Sequence, residues 1–162
     1  MKEQSKKVLV IATRLLFYIY IILLSYFLFF SEHYGRVGMM EDYRYNLELF
    51  KEIKRFIEYR QQLGMESVVV NILGNILAFA PFGFLLPMIN TRFRNFFRLF
   101  FGCFLFTLTV ELLQLVLRVG IFDVDDILLN TLGGVIGFIA HAIGSAFYRK
   151  RQVRNRNGRR RL

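Results

Sequence analysis

Four stretches of the chain are apolar on nearly every face: residues 8–30, 68–89, 96–117 and 127–147. Each is 21 to 23 residues long, and a helix crossing the hydrocarbon core of a bilayer needs about 20 mostly apolar residues. A surface helix of a soluble domain would show one apolar stripe instead. A strand of a membrane barrel would alternate every second residue. The pattern therefore predicts an all-α membrane fold with four transmembrane helices. Between the first two runs, Leu49, Ile53, Phe56, Ile57, Arg60 and Leu63 recur at helical spacing, with Lys51, Lys54, Arg55 and Glu58 largely between them. That spacing predicts an outer amphipathic interfacial helix, lying on the membrane surface or packed across the ends of the bundle.

Composition narrows the class. Over half of the residues, 55%, are hydrophobic, which excludes a water-soluble globular enzyme. The only cysteine, Cys103, lies inside the third run, so neither a disulfide framework nor a cysteine metal motif is available. The net charge of +10 would suggest nucleic acid in a soluble protein. Here it is segregated and reads as topology, with no nucleic acid among the expected partners. The N-terminal segment carries Lys2, Lys6 and Lys7, and the 90–98 region carries Arg92, Arg94 and Arg98 without an acid. The tail from Arg149 carries eight basic residues and no acid. By contrast, residues 31–67 hold six basic and seven acidic residues, and residues 118–126 hold one basic and three acidic. Basic loops stay in the cytoplasm, so both termini are expected there. The first run is too long for the hydrophobic core of a signal peptide and is expected to remain as a membrane helix. Residues 1–148 form the expected four-helix domain. Residues 149–162 form a basic cytoplasmic tail, expected to be disordered, either a plain topology anchor or a binder of anionic lipid.

The polar residues inside the apolar runs carry the candidate chemistry. The second run holds Asn71 and Asn75; the third holds Glu111 and Gln114, with Arg118 at its mouth. The fourth opens with Asp123, Asp125 and Asp126, followed by Asn130. At about 100° per residue Asn71 and Asn75 share one helical face, as do Glu111, Gln114 and Arg118, and as do Asp126 and Asn130. At about 1.5 Å rise per residue all of them fall in the outer half of their helices. Three stripes at matching depth predict one polar pocket open toward the outer leaflet. A carboxylate at a helix centre costs roughly 2.5–3.5 kcal/mol on insertion scales, so Glu111 needs a partner or a proton. Read singly, Asn71 or Gln114 is interhelical glue, and Asp123 or Asp125 is a cap for the fourth helix. Gly133 and Gly137 form a G-x-x-x-G that lets two helices approach closely, and Pro81 is expected to kink the second helix. His141 reads as a structural histidine. No metal site and no cofactor is expected.

These same residues resemble the VanZ-like family. Residues 71–87, NILGNILAFAPFGFLLP, and 111–137, ELLQLVLRVGIFDVDDILLNTLGGVIG, carry the likeness. Its elements are Phe79, Pro81, Phe82 and Gly83; Glu111 and Gln114; Arg118; Asp123, Asp126 and Asn130; and Gly133 and Gly134. Asn46, Leu47 and Phe50 resemble an upstream Asn-Leu-x-x-Phe element without its usual proline. The resemblance covers roughly residues 45–145. It implies a multi-pass protein of the bacterial cell membrane, and a link to resistance against the glycopeptide antibiotic teicoplanin.

On this reading Glu111, Asp123 and Asp126 are the candidate catalytic residues. Asn71, Asn75, Gln114, Arg118 and Asn130 are the candidate substrate-binding residues, with Arg118 on a phosphate. The expected partner is a membrane lipid or a lipid-linked cell-wall precursor, acted on or bound. Two alternatives stand beside it: a non-catalytic binder of lipoglycopeptides, and a membrane scaffold for another protein.

Overall fold

The computed structural model describes residues 3–30 and 42–159. Helix α1 spans Glu3–Phe30. A two-residue strand β1, Tyr45–Asn46, leads into α2, Lys51–Glu58, and the single turn α3, Arg60–Leu63. Helix α4 follows as Met65–Ile89, then a 3-10 turn at Thr91–Arg94, then α5 at Phe96–Val116. Strand β2, Phe122–Asp123, precedes the long helix α6, Val124–Arg159. Four of these helices are long and apolar enough to cross a membrane: Lys7–Phe30, Val68–Ile89, Phe96–Val116 and Val124–Gln152. The four-helix fold predicted from the apolar runs is the fold observed.

Asparagines punctuate the turn between α4 and α5. The Asn90 side chain accepts from the Arg92 N–H at 3.0 Å, and the Asn95 side chain accepts from the Arg98 N–H at 3.1 Å. Each satisfies a backbone donor that the first turn of a helix leaves unpaired. The end of the bundle bearing this turn is the turn end below; the opposite end, bearing β1, α2 and β2, is the loop end.

Close backbone approach holds α4 to α6. A Cβ on Gly133 would fall on the Ile76 carbonyl, one on Gly137 on the Ala80 carbonyl, and one on Gly83 on the Gly134 carbonyl. Side chains other than hydrogen do not fit at these three crossings, so the G-x-x-x-G of α6 seats directly on α4. Helix α4 continues through both Pro81 and Pro87. Beside the turn that Pro81 interrupts, the Tyr20 hydroxyl donates to the Ala78 carbonyl at 2.7 Å and ties α1 to α4. Below the glycines an aromatic seam fills the core. Phe82 stacks on Phe106 with centroids 4.6 Å apart, and Phe17 closes on Phe82 at 5.8 Å. Leu99 and Cys103 are fully buried beneath them. Helix α1 leaves Val8, Leu15, Ile22 and Phe30 more than half exposed, as suits a surface facing acyl chains rather than water.

Two expectations are corrected. The disordered tail was placed from residue 149, but α6 stays helical to Arg159. Arg, Lys and Gln are good helix formers, and basic residues near a helix C-terminus complement its dipole. At about 1.5 Å per residue the 36-residue helix is about 54 Å long, well beyond a hydrocarbon core of about 30 Å. The last three tail residues, and residues 31–41 of the long loop, lie outside the described residues. The amphipathic helix is also shorter than its pattern: Tyr59 breaks it into α2 and α3.

Candidate functional site

The loop end is assembled by hydrogen bonds from three separate segments. Strands β1 and β2 pair in parallel, Tyr45 opposite Phe122 and Asn46 opposite Asp123. The Asn46 amide donates to Asp123 Oδ1 at 3.1 Å, and its own Oδ1 accepts from the Glu48 N–H at 3.2 Å. Asp123 Oδ1 also accepts from the Asp125 N–H at 2.8 Å. That is the geometry of an N-cap, so Asp123 caps α6 as the sequence suggested.

Asp125 does something else. Its carboxylate accepts from the backbone N–H groups of Phe50, Glu52 and Ile53 at 2.5, 2.9 and 3.2 Å. Helix α2 begins at Phe50, which stands at φ 65 and has no side chain able to cap. Asp125, only 1% exposed, reaches across from α6 and serves as the missing cap. Negative charge at that helix start is favoured by the helix dipole. The start of α2 is thereby tied to the start of α6, and Glu52, Arg55 and Phe56 make α2 the lid of a cavity.

Beneath the lid lies a cavity of ≈ 390 Å³. Six of the eight predicted site residues line it: Asn71, Asn75, Glu111, Asp123, Asp126 and Asn130. Glu111 is 2% exposed, and its Oε2 accepts from the Asp123 N–H at 3.1 Å. Asp126 accepts from the Asn75 amide at 2.5 Å, joining α6 to α4. Asn130 donates to Thr107 Oγ1 at 2.9 Å, joining α6 to α5, while its own Oδ1 is buried with no hydrogen-bond partner among the described residues. Burial pushes the Asp123 carboxyl above the ordinary carboxylate range. The bonds from the Asp125 N–H and Asn46 oppose that shift, while the nearby charges of Asp125 and Glu52 add to it.

The other two predicted residues are not in the cavity lining. The Gln114 amide donates to the Leu28 carbonyl at 2.8 Å, so this side chain fastens α5 to the end of α1. Arg118 is carried off the α5 face by the way that helix ends. The Val119 N–H bonds the Gln114 carbonyl at 3.0 Å and the Arg118 N–H bonds the Leu115 carbonyl at 3.1 Å. This is the Schellman pattern, with Arg118 at φ 56 in the position usually given to glycine. Helical spacing holds only while the helix continues, and here it stops one residue earlier. The Arg118 guanidinium lies over the Tyr43 ring, 4.5 Å from its centroid.

Four polar or aromatic lining residues come from the loop and lid: Arg44, Glu52, Arg55 and Phe56. Arg55 pairs with Glu52 at 2.7 Å. Sequence reasoning placed Arg55 on the polar face of an amphipathic helix and gave Arg44 no role. The signal available was the pairing of the Asn46 segment with the Asp123 segment, which no local pattern encodes. Chemically, the cavity has a floor of buried and half-buried carboxylates and amides and a rim bearing two guanidinium groups. Among the described residues, its lining contains no serine, threonine, cysteine or histidine, and no group of three His, Cys, Asp or Glu is placed to hold a metal ion.

Four helices long and apolar enough to cross a bilayer define a multi-pass membrane protein. The chain belongs to the VanZ/LLP1 family, whose sequence pattern matches residues 17–145. The match takes in the second half of α1 as well as the residues that carried the resemblance. A curated relative, Protein VanZ of Enterococcus faecium, is 27% identical over 82 residues, which is 51% of this chain and 50% of that protein. The aligned region thus spans about half the length of the relative. No solved structure matches the chain.

Proposed function

We propose that the cavity binds, and acts on, the polar head group of a membrane lipid or lipid-linked cell-wall precursor in the outer leaflet of a bacterial cell membrane. On this proposal the protein raises tolerance to glycopeptides, teicoplanin above all. The observation that carries the reading is the cavity itself: buried Glu111 and Asp123 and half-buried Asp126 below, Arg44 and Arg55 above. A lipid whose chains stay among the helices presents its head group at that depth. Its phosphate suits a guanidinium, whose planar fork matches phosphate oxygens. Arg44 and Arg55 therefore take the phosphate role that the sequence reading gave to Arg118. Glu111 is the candidate acid/base, a role suited to a buried carboxyl. Asp123 and Asp126 orient, with Asn71, Asn75 and Asn130 on substrate polar groups. The outer side is supported by the charges, since the basic segments at Arg92–Arg98 and from Arg149 belong to the opposite end.

The lining favours a second reading as well. Among the described residues no hydroxyl or thiol lines the cavity, and binding without turnover of a lipid or of a lipoglycopeptide tail fits the same walls. Conversion of lipid by sub-stoichiometric purified protein separates the two. The functional test is antibiotic tolerance: expression is expected to raise the minimum inhibitory concentration of teicoplanin more than that of vancomycin. Equal, absent or reversed changes, with the protein confirmed in the membrane, overturn the proposal.

A further inference from the structure

The turn end carries a second recess, separate from the loop-end cavity. It is an open groove of ≈ 920 Å³ along the outer side of α5. Phe97, Phe101 and Leu105 form its apolar wall, and all three are more than half exposed. At about 100° per residue they fall within about 80° of one another, and at about 1.5 Å rise they span about 12 Å of the helix. One leaflet has a hydrocarbon depth of about 15 Å, half of a core of about 30 Å. A glycine shapes the other side of the groove: a Cβ on Gly102 would stand 2.9 Å from the Phe93 ring, so that ring lies close against the α5 backbone. The entrance is basic. Arg92 and Arg98 line it, and both are exposed. Their backbone N–H groups are held by the Asn90 and Asn95 side chains at 3.0 and 3.1 Å, which fixes where the two side chains start. Arg94, between them in sequence, is outside the lining, and its Nε donates to the Pro87 carbonyl at 3.3 Å. Residues 90–105 contain no acid.

We infer that this groove is a binding site for an anionic phospholipid of the leaflet at the turn end, with the lipid phosphate between Arg92 and Arg98 and one acyl chain along Phe97, Phe101 and Leu105. The site is independent of the loop-end cavity and of the function proposed for it. Helix α5 is one of the membrane spans, so what meets its exposed apolar wall in the bilayer is an acyl chain. The two arginines select among the lipids that could supply that chain. A guanidinium fork matches phosphate oxygens. A zwitterionic head group brings an ammonium beside two guanidinium groups with no acid nearby to receive it. A head group whose only charge is its phosphate meets attraction alone. The first turn of α5 also lacks an acid, and the positive end of the helix dipole adds to the attraction. Polar entrance and apolar wall are continuous, as the head and chain of one lipid are.

The chain contains no tryptophan, so Phe101→Trp places a single fluorescent reporter in the groove wall. The full chain carrying it is reconstituted in dioleoyl-phosphatidylcholine bilayers with increasing shares of dibromo-phosphatidylglycerol or of dibromo-phosphatidylcholine, whose bromines quench tryptophan on contact. The ratio of the two lipids' apparent affinities at the reporter is the readout. Phosphatidylglycerol is expected to be preferred about twenty- to thirtyfold, at about fivefold for each arginine near the surface. Ile19→Trp, on the exposed side of α1, reports lipid outside the groove and is expected to show little preference. In the Phe101→Trp background, Arg92→Gln and Arg98→Gln are each expected to lower the preference about fivefold. Arg151→Gln removes the same charge from the α6 extension, outside the groove lining, and is expected to leave the preference unchanged. Equal affinities of the two lipids at the groove reporter would overturn the site. So would an equal preference at the two reporter positions, or a drop with Arg151→Gln as large as with Arg98→Gln, since either would assign the effect to the general charge of this end.

Discussion

The two ends of this bundle are held together by different forces. Toward the turn end, α4 and α6 meet glycine to backbone at Gly83, Gly133 and Gly137, and Phe82 stacks on Phe106 against buried Leu99 and Cys103. At the loop end the same helices part around a cavity, and carboxylates and amides make the cross-connections: Asn75 to Asp126, Asn130 to Thr107, Asp125 to the start of α2. Lipid supplies no hydrophobic drive between helices, so close packing and hydrogen bonds are the two means of association. In this chain close packing dominates toward the turn end and hydrogen bonds across helices dominate at the loop end. Polar groups fully bonded within the protein act as fasteners. The groups that also face the cavity are the ones available for a ligand.

The comparison breaks first at the glycines. Gly133→Ala drives a methyl into the Ile76 carbonyl, and overpacking of this kind costs roughly 1–3 kcal/mol or more. The expected result is loss of folded protein from the membrane fraction. Gly144→Ala, where nothing lies within 4 Å, is the matched neutral change. Equal abundance of both variants would remove the packing half of the comparison.

Asp125→Ala strips the start of α2 of its acceptor. Loss of a cap costs about 0.5–2 kcal/mol, so the Glu52 and Ile53 amides should exchange hydrogen roughly tenfold faster while amides in α5 are unchanged. Uniform acceleration would mean that Asp125 holds the whole bundle rather than the lid.

Gln114→Leu tests a fastener that does not line the cavity. Interhelical hydrogen bonds in membranes average about 0.6 kcal/mol, so a small drop in thermal stability with unaltered ligand binding is expected. Impaired binding would return Gln114 to the site.

The smallest effect is a pH dependence. Asp123 has a raised folded-state pKa, caused first by burial. It therefore adds stability that is present below its ordinary value of 3.8 and is lost as pH rises through the folded value. The stability of the wild type relative to Asp123→Asn should fall as pH climbs from that value. A flat or rising difference in melting temperature would contradict it.

What could be read from the sequence follows from which signals are local. The apolar runs gave the four helices because bilayer thickness and helix rise leave little choice. Matching depths of Asn75, Glu111 and Asp126 led to the cavity because straight helices convert sequence position into height. The failures occur where helices stop. Arg118 was counted on the α5 face, but the Schellman turn at residue 118 ends the periodicity that the count assumed. Asp125 was read as a cap for its own helix, because nothing local reveals that Phe50 leaves α2 uncapped some 75 residues earlier in the chain. Arg44 and Arg55 were missed for the same reason: their place at the rim depends on the pairing of β1 with β2.

The central claim is that the loop-end cavity works through the ionised or ionisable carboxyl of Glu111, and Glu111→Gln measures it most directly. The amide keeps the size of the side chain and an oxygen able to accept from the Asp123 N–H, and removes only the ionisation. Glycopeptide tolerance and membrane abundance are measured together in the same cells, with Leu115→Ile as the neutral control in α5. The account predicts normal abundance with tolerance abolished, since a general acid–base group contributes about 10²–10⁴-fold. Wild-type tolerance in Glu111→Gln at normal abundance would contradict it and leave the carboxyl as a fastener like Gln114.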